Sequence, residues 1–178
     1  MEEELLVSFR LRVDVSAIDD DVLRKVRTDW GNHPERMTNW DWDTGICAPF
    51  RNAGPRGLDF ALMVHGSVCG LAVARLSPRK RWISLTHIEG APAQHELKGH
   101  VLAIVIRAMH IYRAVISANF EAEKIGVRIL NPLSDAVEWY QRQGLQLTHQ
   151  SKWLCAIEVT PPNVGNDRED AKIGRAHV

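Results

Sequence analysis

The chain has 178 residues, of which 45% are hydrophobic, which is enough for one domain with a buried core and short for two. Its 22 basic and 22 acidic side chains cancel, which argues against a protein that binds nucleic acid through a broad basic surface. Its three cysteines are widely spaced and never form a C-x-x-C pair, which argues against a disulfide framework and a structural zinc site.

The two ends of the sequence carry their own signals. The N-terminus, MEEELLVSF, is acidic and too short in apolar residues for a signal peptide, and the longest apolar run, VLAIVI, is too short to span a bilayer. We therefore expect a cytoplasmic protein that does not enter a membrane. From position 160 the sequence turns polar, which predicts a disordered tail over 160–178 after one domain over 1–159. The residues at 172–178, KIGRAHV, resemble the translation of a sequencing-adapter oligonucleotide, and no function is assigned to them.

The first third of the chain predicts a strand, a helix and a long loop. VSFRLRVDV alternates apolar and polar residues as a half-buried strand does. SAIDDDVLRKVRTDW predicts a helix capped by Ser16, with Ile18, Val22 and Val26 along one apolar stripe. The next stretch, GNHPERMTNWDWDTGICAPFRNAGPRG, is rich in Gly, Pro, Asn and Asp. A loop of this length inside a compact domain is usually functional or disordered, and its aromatic residues favour a packed, functional loop.

The remaining elements predict a sheet built from hairpins and one crossover. LDFALMVH and SVCGLAVARL flank a turn at His65-Gly66, and RWISLTHIE follows as a third strand. GHVLAIVIRAMHIYRAVIS predicts a helix, and its core-facing residues are Val101, Val105, Ala108, Ile111, Tyr112 and Val115. A strand (IGVRIL), a helix (PLSDAVEWYQRQ) and two closing strands (LQLTH and KWLCAIEV) complete the pattern. This order predicts an α/β (α+β) domain with a mixed, mostly antiparallel sheet flanked by helices.

The stretch HELKGHVLA, His95 to Ala103, looks at first like the zinc-binding signature H-E-x-x-H. Its histidines, His95 and His100, are five residues apart, which on a helix sets them about 140° from each other. Side chains so oriented do not share a metal ion, and we expect no metal site. The same stretch joins a strand to a strongly apolar helix. Backbone N–H groups at such a helix start favour anions, which indicates a phosphate-binding turn.

The second half of the chain resembles a known superfamily. VRILNPLSDAVEWYQRQGLQL is similar to the strand, helix and turn of the GCN5-related N-acetyltransferases (the GNAT superfamily), whose helix ends in Tyr-x-x-x-Gly-Phe. Tyr140 and Gly144 keep that spacing, and Leu145 takes the place of the Phe. Through the order of its elements, the resemblance covers the chain from Leu58 to Val159.

The resemblance implies acetyl-coenzyme A as cosubstrate, no metal, and a turn that binds the pyrophosphate. In the superfamily this turn reads Arg/Gln-x-x-Gly-x-Gly/Ala. The implied cofactor-binding residues are Lys98, Gly99, His100, Val101, Leu102, Ala103 and Asn131. Val101 departs from the central Gly, so its side chain has to point into the core if a phosphate is to approach the backbone. Asn131 can also be read as a helix cap, with Pro132 at the first helical position.

The resemblance also implies three candidate catalytic residues. Tyr140 would protonate the departing coenzyme A thiolate, although a packed helix-end aromatic fits the same position. Glu89, at the end of the strand before the turn, would act as general base, directly or through water, and partial burial would raise its pKa toward the working range. A solvated strand-end carboxylate is the alternative for Glu89. His87 lies two residues earlier on the same strand face and is the alternative base.

Trp40, Asp41 and Trp42, from the stretch NWDWD, form the candidate acceptor site in the long loop. The tryptophans could stack on a substrate and the carboxylate could hold a cationic amine, but a loop pinned by two buried tryptophans gives the same pattern. Cys69 and Cys155 lie inside apolar strands, where thiols are inert, so we expect direct transfer without an acyl-enzyme. Exposed tryptophans would also favour a homodimer.

Three functions stay open on the sequence alone. The first is an N-acyltransferase that moves an acetyl group from acetyl-coenzyme A to a small-molecule or peptide amine within a ternary complex. The second is a module of the same fold that binds acyl-coenzyme A or a protein partner without chemistry. The third is an acetyltransferase for a macromolecule, such as a protein N-terminus or a charged tRNA. The balanced charge argues against the tRNA.

Overall fold

The part of the chain that the structure describes contains seven strands, four α-helices and one π-helix. The computed structural model describes residues 12–38, 40–51, 56–79, 81–120, 125–142, 145–150 and 155–159. The strands are β1 (Asp14–Ser16), β2 (Gly57–Val64), β3 (Ser67–Leu76), β4 (Trp82–Gly90), β5 (Gly126–Leu130), β6 (Gln146–Gln150) and β7 (Cys155–Val159). The helical segments are α1 (Asp20–Trp30), a π-helix (Trp42–Cys47), the short α2 (Ala48–Arg51), α3 (Val101–Phe120) and α4 (Ser134–Arg142).

The strands form one sheet in the order β1-β2-β3-β4-β5-β7-β6. Neighbouring strands are antiparallel except β4 and β5, which run parallel because α3 crosses over between them. The hairpin between β2 and β3 turns at His65 and Gly66, whose φ angles are 48° and 82°. The mixed, mostly antiparallel sheet with flanking helices that the sequence predicts is therefore confirmed.

A β-bulge in β4 decides which side chains meet at the site. Val73 of β3 pairs with His87, and Ala74 pairs with Leu85, so Thr86 is the extra residue. The Thr86 hydroxyl donates to the Val73 carbonyl at 3.1 Å. Because the bulge shifts the alternation by one residue, Leu85 and Ile88 both face the larger core, while His87 and Glu89 share the other face.

Strand β5 pairs in parallel with only the first half of β4. Trp82 pairs with Gly126, and the ladder ends at the pair of Leu85 and Ile129. The rest of β4 runs on to Gly90 without pairing to β5. The second half of β4, which leads toward α3, is therefore not paired to β5 on that side.

Two hydrophobic clusters cover the two faces of the sheet. The larger one packs α3 and α4 against β2 to β5, and its helical members are Val101, Val105, Met109, Ile116 and Tyr140. The smaller one packs α1 and the π-helix against β2 and β3, and its helical members are Val22, Leu23, Val26, Trp30, Trp42, Ile46 and Cys47. The candidate acceptor residues Trp40 and Trp42, with His87 and Glu89, lie on the face of the smaller cluster, whereas Val101 and Tyr140 belong to the larger one.

The structure corrects two helix predictions. Helix α1 is capped by Asp19 rather than Ser16, because an Asp19 carboxylate oxygen accepts from the Val22 N–H at 2.8 Å. The buried face of α3 continues through Met109 and Ile116, whereas Ile111 and Val115 are 60% and 53% exposed.

Two features of the chain bear on the domain and membrane predictions. The predicted first strand lies mostly outside the described residues, as does the polar tail. Within α3, the span Val101–Ala118 has a mean hydropathy of 1.6 and is long and apolar enough to cross a membrane. In the structure this helix packs one side against the sheet, as the core helix of a folded domain does.

Candidate active site

The loop before the π-helix is joined to the end of β4 through Glu89. This carboxylate is buried, with 8% of the residue exposed. Oε1 accepts a hydrogen bond from Nε of Arg36 at 2.8 Å, and Oε2 accepts from Nη2 of the same residue at 3.1 Å. Oε2 also accepts from the indole Nε1 of Trp42 at 2.5 Å. The predicted acceptor loop and the predicted base therefore touch.

Arg36 makes the burial of Glu89 tolerable. An unpaired carboxylate in the interior is costly, whereas a bidentate guanidinium offsets its charge and fills two of its acceptor positions. The hydrogen bond to Glu89 in turn raises the pKa of Arg36. Arg36 also donates from Nη2 to the Trp40 carbonyl at 2.7 Å, so the same side chain fixes the loop backbone.

The tryptophans of the loop pack edge-on against each other and against β4. The ring centroid of Trp40 lies 6.1 Å from that of Trp42 and 5.1 Å from that of His87, with interplanar angles of 73° and 81°. Trp42 is buried and Trp40 is half-buried. The structure thus brings together four of the predicted residues: Trp40, Trp42, His87 and Glu89.

His87 has the protonation state that a base requires. Partial burial lowers its pKa below the usual value, so the imidazole is neutral at neutral pH. Its Nδ1 lies 3.2 Å from the hydroxyl oxygen of Thr86. One ring nitrogen is therefore oriented by the bulge residue while the ring edge meets Trp40.

Asp41 caps the π-helix. Its side chain accepts hydrogen bonds from the backbone N–H of Asp43 at 3.0 Å and of Thr44 at 3.2 Å, and from the Thr44 hydroxyl. The Thr44 hydrogen bonds lower the pKa of Asp41. This capping explains why the chain turns helical directly after Asp41. The carboxylate is exposed and charged, and its contact with a substrate amine stays a prediction.

The turn before α3 has the geometry of an anion site. Gly99 has a φ of +85°, and a Cβ there would meet no atom within 4 Å. The His100 N–H bonds to the Leu97 carbonyl at 2.8 Å, and the helical hydrogen bonds begin with the N–H of Ile104. Within the described residues, the N–H groups of the first three helical residues, Val101, Leu102 and Ala103, have no acceptor.

The Val101 side chain points into the core. It is 8% exposed and belongs to the larger cluster. A Cβ at Gly70 would lie 2.7 Å from its Cγ1, and a Cβ at Gly90 would lie 3.6 Å from its Cγ2. The valine therefore fills space beside two glycines of β3 and β4 and does not cover the turn. The residues present fit a pyrophosphate at this position.

The turn also carries the polar side chains of Lys98, His95 and His100. Lys98 is exposed, and its Nζ lies 4.0 Å from a carboxylate oxygen of Glu35. His95 accepts from the Leu97 N–H at 3.2 Å, and burial lowers its pKa. His100 is exposed. Among the described residues, no group of three or more His, Cys, Asp and Glu side chains is placed to hold a metal ion.

Tyr140 and Asn131 lie on the β5–α4 side of the domain. Tyr140 is 8% exposed, and burial raises its pKa, so its hydroxyl keeps its proton at neutral pH. It belongs to the larger cluster, whereas Glu89 contacts the smaller one. Asn131 has a φ of 47° and α4 begins at Ser134, so the interpretation of Asn131 as a cap with Pro132 at the first helical position is wrong. Left-handed backbone is a conformation that Asn tolerates.

Arg36 is the site residue that the sequence reasoning missed. It lies in a loop and has no motif around it. One physical signal was available, because a Glu expected to be buried implies a cationic partner. The pairing spans 53 positions, so the sequence alone does not say which cation that is.

Comparison with known proteins gives a fold and no closer relationship. No protein-family model matches the sequence, and no curated protein matches it. The chain is similar to the solved structure of a GNAT family acetyltransferase from Brucella melitensis in complex with acetyl-CoA, at 16% identity and a TM-score of 0.52, over 84% of this chain and 90% of that one.

Two further solved structures are similar over comparable lengths. They are mutant forms of the spermidine/spermine N-acetyltransferase SpeG from Vibrio cholerae (13% identity, TM-score 0.53, 83% of this chain and 94% of that one) and the ribosomal-protein-alanine N-acetyltransferase from Escherichia coli (14% identity, TM-score 0.50, 86% and 99%). The chain therefore has the fold of the GCN5-related N-acetyltransferases.

Proposed function

We propose that this protein is a divergent member of the GNAT superfamily that transfers an acetyl group from acetyl-coenzyme A to an amine. The transfer is direct and occurs within a ternary complex. The observation that carries the proposal is the start of α3, directly after Gly99, where the N–H groups of Val101, Leu102 and Ala103 find no acceptor among the residues that the structure describes. A pyrophosphate supplies the negative charge and the acceptor oxygens that such a helix start favours.

Acetyl-coenzyme A is the cosubstrate that best fits this turn. Its pyrophosphate would be held by the three N–H groups, with Lys98 adding positive charge nearby and His100 exposed at the same turn. Asn131, after β5, is the further cofactor contact that we propose. The Brucella neighbour was crystallised with acetyl-CoA, which supports the choice. The bound thioester supplies an activated acetyl group.

The proposed chemistry needs one base and one acid. The base takes a proton from the substrate ammonium, the amine nitrogen then bonds to the acetyl carbon, and the carbon–sulfur bond breaks. Tyr140 gives its hydroxyl proton to the departing sulfur, and the resulting tyrosinate regains a proton from the acylated nitrogen, which becomes the neutral amide. The raised pKa of Tyr140 supports this role, because a protonated hydroxyl is what an acid needs.

We assign the base to His87 in preference to Glu89. Both oxygens of Glu89 already accept hydrogen bonds from Arg36 or Trp42, so an amine would reach it only through the remaining acceptor position or a water. His87 is neutral and partly exposed. In this assignment Glu89 is a positioning residue, and it holds the acceptor loop against β4.

Direct transfer is also supported by Cys47 and Cys69, the two cysteines whose side chains the structure describes. Burial raises the pKa of Cys47 to about 11 and raises that of Cys69. Neither is a thiolate at neutral pH, so neither has the nucleophilicity that an acyl-enzyme requires.

The acceptor is proposed to be a small-molecule or peptide amine. The Vibrio neighbour is named for spermidine and spermine, and the Escherichia neighbour for an alanine of a ribosomal protein, so the fold accommodates both kinds of amine. In this chain the half-buried Trp40 would form the apolar wall, the buried Trp42 would support it from behind, and Asp41 would face the positive charge. The exposed carboxylate of Asp41 favours a cationic acceptor.

One observation favours the alternative, a coenzyme A-binding or protein-interaction module without catalysis. The carboxylate that the superfamily pattern suggests as base is already bound to Arg36. Isothermal titration calorimetry with acetyl-coenzyme A, paired with a thiol-release assay, separates the two functions. The acceptor panel consists of polyamines, aminoglycosides, amino acids and peptides. Binding with thiol release on one acceptor class supports the enzyme, binding without release on any of them supports the module, and no binding rejects both.

A further inference from the structure

The Val101 side chain packs against Gly70 of β3, and we draw from this contact an inference that rests on the proposed function. A Cβ at Gly70 of β3 would lie 2.7 Å from Cγ1 and 3.2 Å from Cγ2 of Val101. Carbon atoms essentially never approach a Cβ within 3.0 Å, so any larger residue at position 70 forces a shift. Gly70 is thus the residue that leaves room for this valine.

Val101 has little freedom to move aside. A valine in a helix strongly prefers one χ1 rotamer, and Val101 is the first residue of α3. A methyl group added at position 70 is also limited on its other side, because it would lie 3.5 Å from Cδ1 of Leu62 and cannot shift freely away from Val101. Pressure from position 70 would therefore be relieved by a shift of the first turn of α3.

We propose that Gly70 is a positioning residue for the pyrophosphate site. By admitting the Val101 side chain into the core, it holds the backbone of Val101, Leu102 and Ala103 so that their N–H groups stay available to the ligand. The space that a glycine at position 101 would provide is supplied here by the neighbouring strand. Gly70 acts through Val101 and touches no substrate itself.

The test is the affinity for coenzyme A of Gly70→Ala, measured by isothermal titration calorimetry. We expect the Kd to rise about tenfold or more, as for the loss of one hydrogen bond to a charged group. Gly126→Ala is the matched control, because its Cβ would lie 2.3 Å from Cζ3 of Trp82 and overpacks the sheet at the opposite end of β4 and β5. It should lower the Tm and leave the Kd unchanged.

The double variant Gly70→Ala/Val101→Ala adds a methyl group at position 70 and removes the two γ-methyl groups that it would contact at position 101. It should return the Kd to within about twofold of the wild type, and the failure of additivity measures the coupling between positions 70 and 101. A Kd unchanged in Gly70→Ala, or raised equally in Gly126→Ala, overturns the inference.

The outcomes separate this inference from the proposed function. Wild-type protein that does not bind coenzyme A removes both, whereas wild-type binding with an unaffected Gly70→Ala removes the inference alone. If Gly70→Ala does not fold, Val101→Ile presses on the same contact from the helix side and is judged by the same two results: a weakened Kd supports the inference and an unchanged Kd overturns it.

Discussion

Arg36 and Glu89 form a buried bidentate ion pair between the loop before the π-helix and the end of β4. The two N–O distances are 2.8 Å and 3.1 Å, and the side chains are 12% and 6% exposed. The Arg36 guanidinium also holds the Trp40 carbonyl. A loop of irregular sequence is therefore fixed against the sheet by charge and hydrogen bonding, and the candidate acceptor site depends on this pair.

We predict that Arg36→Ala lowers the free energy of unfolding by about 3 kcal/mol, because it leaves Glu89 buried without a counter-charge. Urea denaturation followed by tryptophan fluorescence measures the change. Arg27→Ala is the control, since it breaks the exposed pair of Arg27 and Asp43, whose side chains are 69% and 45% exposed. The control should cost less than about 1 kcal/mol. Equal decreases in the free energy of unfolding in the two variants would show that the buried pair stabilises the fold no more than the exposed pair does.

The acid side of the pH profile discriminates between the two candidate bases. Burial lowers the pKa of His87 below 6.5, so the imidazole stays neutral, and able to accept a proton, as the pH falls from 7 until it passes that lowered pKa. We predict that His87→Gln lowers kcat about 100-fold or more and removes the acid limb of kcat/KM. Thiol release at a range of pH values, with acetyl-coenzyme A saturating, measures both.

The matched control for His87 is His65→Asn. His65 lies in the exposed turn between β2 and β3, and Asn tolerates its left-handed backbone. This variant should keep the wild-type profile. If Glu89→Gln removes the acid limb while His87→Gln retains it, the base is Glu89 and the assignment to His87 is wrong.

The fold could be predicted from the sequence because its signals are local. The strand-like runs of β2, β3 and β4, with the turn at His65 and Gly66, indicate neighbouring antiparallel strands. The two-residue period of a strand puts His87 and Glu89 on one face, which the structure confirms because the bulge at Thr86 precedes both residues. Such patterns need no knowledge of distant contacts.

The features that the sequence reasoning missed depend on distant contacts or on weak periodicity. The partner of Glu89 comes from 53 positions away. Helix α3 is apolar on nearly every side, so the pattern could not decide between the face with Met109 and Ile116 and the face with Ile111 and Val115. The inward direction of Val101 depends on Gly70 and Gly90, which lie on two other elements.

We predict that stability falls as the pH is lowered below about 6.5, and that His110 contributes to the fall. Burial, with Arg113 nearby, lowers the pKa of His110, so below pH 6.5 the unfolded chain binds a proton that the folded one does not. Stability from this group is therefore present above that pH and is lost toward the folded pKa. Both ring nitrogens of His110 are buried without a partner in the described part of the chain.

His110→Leu tests this contribution. Urea midpoints at about pH 7.5 and about pH 5.5 should differ less in the variant than in the wild type, and the variant should be more stable at the lower pH. His65→Asn again serves as control, because its side chain is exposed and its midpoints should follow those of the wild type. A pH dependence that His110→Leu leaves unchanged would assign the effect to other groups, with His87 and His95 shifted in the same direction.

Tyr140→Phe tests the proposed acid. The change removes the hydroxyl and keeps the ring that packs in the larger cluster, so we predict that kcat falls about 100-fold while the Kd for acetyl-coenzyme A stays near the wild-type value. Tyr112→Phe is the matched control, because Tyr112 is a half-buried tyrosine of α3 packed against the same cluster. Its turnover should be unchanged. Unchanged turnover in Tyr140→Phe as well would remove Tyr140 from the mechanism, and protonation of the leaving thiolate would then fall to solvent, since a phenylalanine has no proton to give.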